Sequence, residues 1–95
     1  MISAANHRTI IQSVIQTFSV IPEVEAIYQD NLHGWLRFWV FTNNLRYDDA
    51  LMDKLIAGLE EIDAENVADI RFPPSVLCGD HREVVGNNAV LIWKT

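Results

Sequence analysis

Cys78, Asp80 and His81 come nearest to a reactive constellation in this chain, because Cys78 and His81 have the C-x-x-H spacing of half a metal site. A structural zinc needs four ligands at once. His7 and His33 lie far away along the chain, so no second half is evident. The simpler reading is a partly buried cysteine beside a polar loop. As a nucleophile, Cys78 would need a neighbouring base and a lowered pKa. His81 could come near it, yet no Cys-His signature surrounds the pair, and cysteine often serves as a small apolar residue.

The carboxylates pair as Asp48-Asp49 and Glu60-Glu61. Neighbours on a helix sit about 100° apart and do not converge on one point. Asp48 or Asp49 reads as a helix cap, and Glu60 and Glu61, with Asp63 and Glu65, as a solvated face. The glycines are Gly34, Gly58, Gly79 and Gly86, which form neither a dinucleotide fingerprint nor a phosphate loop.

The segment GWLRFWVFT, residues 34–42, is more informative. It is dense in aromatic and β-branched types, which favour a strand. Alternation sends Leu36, Phe38 and Val40 to one face and Trp35, Arg37, Trp39 and Phe41 to the other. The first set suits a core beneath helices. A solvated outer face is usually polar, whereas here it would be aromatic with one arginine. Either the chain covers that face itself, for instance with Val90, Ile92 or Trp93, or a partner does. Trp, Tyr, Phe and Arg are favoured interface anchors, so Tyr28, Trp35, Arg37, Trp39 and Phe41 are the candidate interface residues.

The elements that would hold this strand follow from periodicity. Residues 4–19 predict a helix with Ser3 as N-cap and an apolar face of Ile10, Ile11, Val14, Ile15 and Phe18; Pro22 closes it. Residues 24–30 predict a strand, with Val24, Ala26 and Tyr28 on one face and Glu25, Ile27 and Gln29 on the other. Asn31 to Gly34 reads as a turn, which makes residues 24–42 a hairpin. A second helix to about Asp63 carries Leu51, Met52, Leu55, Ile56, Leu59 and Ile62, and Gly58 either weakens it or marks close packing. Residues 67–72 predict a third strand ended by Pro73, residues 81–85 a helical turn ended by Gly86, and residues 89–93 a last strand.

Size and charge bound the function. Ninety-five residues predict one domain, residues 1–95, with a modest core. The net charge is −6, and the basic residues are scattered, which argues against nucleic acid and against an anionic membrane surface. A single cysteine excludes an internal disulfide and fits a reducing cytoplasm. No apolar stretch approaches the length of a membrane span, and the N-terminus lacks a signal-peptide pattern.

The order helix, strand, strand, helix, strand, with the closing REVVGNNAVLIW, resembles a minimal nucleotidyltransferase domain. IPEVEAIYQD resembles that family's first strand, GWLRFWVFT its second and VADIRF the strand bearing its last carboxylate. The resemblance implies two helices on one face of a small mixed sheet, in the order αββαβ(α)β. It also implies a Gly-Ser pair after the first strand and paired metal-binding acids on the second. This chain has Gln29-Asp30-Asn31 and Arg37-Phe38-Trp39 at those places, and only Asp69 stands where a third acid would fall.

The expectation is therefore an α+β domain that acts as a non-catalytic interaction or self-association module, a homodimer or the partner of another protein, with no cofactor. The candidate metal ligands Asp69, Cys78 and His81 do not make a set. The alternative is a divergent nucleotide-binding or nucleotidyl-transfer protein in which Asp30, Asp69 and Asp48 or Asp49 converge on a metal. A weaker third reading is a small apolar ligand enclosed by Trp35 and Trp39.

Overall fold

The computed structural model describes residues 4–43, 49–62, 68–73 and 81–95, with side chains from residue 9 onward. The elements are α1 (Ala4–Phe18), β1 (Val24–Leu32), β2 (Trp35–Thr42), α2 (Asp49–Glu61), β3 (Ala68–Arg71), α3 (His81–Val85) and β4 (Val90–Lys94). Four strands form one mixed sheet in the order β3-β2-β1-β4. β1 is antiparallel to β2 and β4, and β2 is parallel to β3. This is the α+β architecture that the periodicities predict. The proposed caps Ser3 and Asp48 lie outside the described residues, as do Cys78 and Asp80.

α1 and α2 cover one face of the sheet. Val14 and Phe18 of α1 and Leu51 and Leu55 of α2 are buried with Val24, Ile27, Leu36, Phe38, Val40 and Ala68. That burial supplies the main apolar driving force of the fold. The helices meet closely at Gly58, where an added Cβ would lie 2.8 Å from Phe18 Cε1 and 3.0 Å from Thr17 Cγ2. Close approach explains a glycine inside a helix. Ile56, expected in the apolar stripe, is 46% exposed instead.

Two local features set the hairpin's register. β1 continues to Leu32, two residues beyond the expected end, so Asn31 is in the strand and the turn is His33-Gly34. Both turn residues have positive φ, 51° and 85°, as a two-residue hairpin loop demands. At the other end of β1 the register shifts between Val24 and Ala26. This bulge inserts Glu25 and reverses the phase. Val24 and Ile27 therefore share the helix-covered face while Ala26 and Tyr28 share the other. Simple alternation placed Val24 with Ala26 and Tyr28, and the bulge corrects it.

The outer face of the aromatic strand

Alternation along β2 holds in the structure. Leu36, Phe38 and Val40 are buried toward α1 and α2. Trp35, Arg37, Trp39 and Phe41 occupy the outer face, where β1 adds Tyr28 opposite Trp39 and Asp30 opposite Arg37. On the other side, parallel pairing sets Asp69 beside Arg37 and Arg71 beside Trp39. A strip of acid, base and indole thus runs across three strands.

One end of this face is closed by the chain itself. Ala26, Tyr28 and Phe41 form a second small core with Val85 and Ala89, against which Trp39 and Val84 also pack. His81 stacks on Phe41 with centroids 3.9 Å apart and meets Tyr28 edge-on at 5.7 Å. Arg82 lies over the Tyr28 ring at 5.4 Å and donates to the carbonyls of Gly86 and Ala89. Gly86, at φ 81°, ends α3 and returns its amide to the Arg82 carbonyl. Tyr28 and Phe41 are consequently buried, at 9% and 0% exposure. The cover comes from α3 rather than from β4, which lies beside β1 at the sheet edge. His81 is committed to this aromatic stack.

The open end carries Trp35, which is 49% exposed, and the ion pairs. Arg37 donates from Nε to Asp30 Oδ1 at 2.7 Å and from a terminal nitrogen to Oδ2 at 2.6 Å. Such a two-pronged pair is among the stronger polar contacts. Asp30's side chain is only 5% exposed and Arg37's 18%, so each needs the other to offset lost hydration. The hydrogen bonds that Arg37 donates to Asp30 raise its pKa, burial opposes this, and the charges of Asp30 and Asp69 add to the rise. Asp69 also accepts from Arg71 Nε at 3.2 Å, a half-exposed pair. The guanidinium carbons of Arg37 and Arg71 lie 4.9 and 5.4 Å from the Trp39 ring centroid, within cation–π range. The Trp39 Nε1 atom is buried without a hydrogen-bond acceptor among the described residues.

The arrangement is thus an electrically balanced strip. Asp30, Arg37, Asp69 and Arg71 cancel in charge, on a chain of net charge −6. Among the described residues, no group of three or more His, Cys, Asp or Glu side chains is placed to hold a metal. Asp30 and Asp69 flank Arg37 in register, one on each neighbouring strand, and both Asp30 carboxylate oxygens accept from the Arg37 guanidinium. A cleft of about 560 Å³ opens elsewhere, between α1 and the end of α2, lined by Thr9, Ser13, Gln16, Val20, Glu61 and Ile62 among others. None of its lining residues belongs to the aromatic strand. No helix among the described residues is long and apolar enough to cross a membrane.

Sequence reasoning missed the Asp30–Arg37 pair and the role of Arg71. The first was within reach: a turn at His33-Gly34 makes residues 30 and 37 direct partners. The second needed the parallel register of β3, which no local pattern encodes.

No protein-family model matches the chain, and no curated protein matches it. A solved structure of a tri-AMPylated Shewanella oneidensis HEPN toxin in complex with MNT antitoxin contains a chain of similar shape. The TM-score is 0.58 at 17% identity, over 93% of this chain and 72% of that one. At this identity the likeness is one of fold.

Proposed function

We propose that this chain is a non-catalytic interaction module of nucleotidyltransferase-like fold. Its docking surface is the open end of the outer sheet face: Trp35, the edge of Trp39 and the flanking ion pairs. The observation that carries the reading is the position of Arg37. Where the resembled family would set metal-binding acids, this chain has a guanidinium locked to Asp30 and shielded by Trp39. A guanidinium bonded to both Asp30 oxygens competes with any divalent ion for those ligands. An exposed tryptophan beside an arginine is, by contrast, a common interface anchor. The similar solved chain comes from a two-protein assembly, which accords with a partner-binding role. The partner is a second copy or another cytoplasmic protein.

Calorimetry with magnesium–ATP separates this reading from nucleotide binding. The expected result is no saturable heat. Saturable heat that disappears in Asp69→Asn would overturn the proposal in favour of a working nucleotide site.

A further inference from the structure

We propose that β3 is a docking edge for a second copy of the chain, joined antiparallel about a two-fold axis at Ile70. The inference rests on the reading of the protein as an interaction module and names one partner for it. β3 is an edge strand, and no described strand lies on its far side. An edge presents unpaired amides and carbonyls that another strand can complete.

The order of side chains selects the occupant. Antiparallel pairing centred on Ile70 sets Ile70 against its own copy. It sets Asp69 opposite the Arg71 of the second copy, and Arg71 opposite its Asp69. It also sets Ala68, small and buried, opposite the larger Phe72. The segment Ala-Asp-Ile-Arg-Phe is therefore complementary to itself when reversed. Directly opposite residues share a face, so both new charge pairs lie on the outer face beside Trp39. Asp69 and Arg71 are half-exposed, with 40% and 50% of their side chains accessible, and so remain available to a partner. Pro73 cannot donate to a ladder, which ends the pairable stretch and pins the register. A two-fold of this kind keeps α1 and α2 of both copies on one side and makes the aromatic strips continuous on the other.

The opposite edge lacks this order. β4 exposes Val90 and Leu91 at 58% and 42%. Reversal about Ile92 sets Lys94 against Val90, with no charge to meet it. The register of β4 on β1 is also irregular between Ile27 and Tyr28.

The test is a charge exchange read by sedimentation and native mass spectrometry. Wild-type chain should dimerise. Asp69→Arg alone and Arg71→Asp alone each place like charges opposite one another twice, so each should self-associate about tenfold more weakly or worse. An equimolar mixture of the two variants should form the heterodimer, because both cross-pairs are then opposite in sign. The bridge within one chain is not repaired by mixing, so rescue reads only contact between chains. Persistent wild-type monomer at high concentration, unaffected single variants, or a mixture that stays monomeric would each overturn the proposal. If the variants fold poorly, hydrogen exchange on unmodified protein decides. Amides of Ala68–Arg71 should gain protection with rising concentration, and unchanged exchange there refutes the edge. Saturable magnesium–ATP heat strikes the functional reading instead, so the two failures are distinguishable.

Discussion

Replacing Arg37 by methionine keeps an unbranched stem against Trp39 but removes the charge that Asp30 faces. Breaking a buried ion pair by removing one partner costs about 3–5 kcal/mol. Asp30 has 5% of its side chain exposed and cannot reach water without moving β1. Arg37→Met should therefore cost about 3 kcal/mol, the low end because Arg37 itself is 18% exposed. Asp30→Leu should cost less, about 1–2 kcal/mol, since the stranded guanidinium keeps Asp69 nearby and a route to solvent. The double variant, with apolar groups on both strands, should return to within about 1 kcal/mol of wild type. The cycle thus predicts a coupling of about 3–5 kcal/mol. Urea unfolding followed by tryptophan fluorescence measures it. With an m-value of about 1 kcal/mol/M, Arg37→Met should lower the midpoint by about 3 M, with m unchanged. The sign of the pH dependence is also fixed. Because the folded pKa of Arg37 is raised, its contribution is complete below the unfolded value and is lost only as pH climbs through the folded one. Titration of Arg37 should leave the coupling unaltered from about pH 7 to 9. A loss under about 1 kcal/mol in Arg37→Met, or a double variant that falls by the sum of the singles, would refute the paired-charge account.

Other substitutions probe the rest of the structure, and the same unfolding assay serves them. Phe41→Ala should cost about 3–5 kcal/mol, because the ring is fully buried and stacked on His81. Trp35→Ala, on the same face but half exposed, should change stability by no more than about 0.5 kcal/mol. Equal losses would mean that α3 does not close the face as described. Gly58→Ala gains about 1 kcal/mol of helix propensity but crowds the buried Phe18 ring. Overpacking of about 1–3 kcal/mol should leave it net destabilised by about 1 kcal/mol, and a more stable variant would contradict the close helix contact. His33→Asn should stabilise the hairpin by about 0.5 kcal/mol, since asparagine tolerates the positive φ at that position better than histidine. A loss there would argue against the His33-Gly34 turn.

Much of this architecture was legible from periodicity. The apolar face of α1 and the strict alternation of β2 each encode their own burial, because a period near 3.6 or of 2 leaves little choice of facing. The turn and the bulge were harder. Asn31 has turn chemistry, yet Leu32 can still pair with Trp35, so the strand continues past it. Glu25 carries no mark of the bulge it creates. On the outer face, the unusual residues were visible, but their division was not. α3 is short, and nothing local announces that His81 and Val85 turn back over Phe41 and Tyr28 while leaving Trp35 open. That outcome depends on chain routing, as does the arrival of Asp69 and Arg71 beside Arg37 and Trp39. The resemblance in element order anticipated the mixed sheet, and the likeness to a solved chain at a TM-score of 0.58 agrees with it.

The central claim is that the open end of this face meets another protein. Site-specific photocrosslinking inside the cell tests it most directly. A benzophenone side chain at position 35 would report on the docking surface. The same group at Val20, which is 76% exposed beside the α1–α2 cleft, controls for random encounter. The account predicts a discrete adduct from position 35, to this chain or to one other protein, that is absent from position 20 and lost when Trp39 is changed to glutamate. Equal labelling from both positions, or none from position 35, would contradict it.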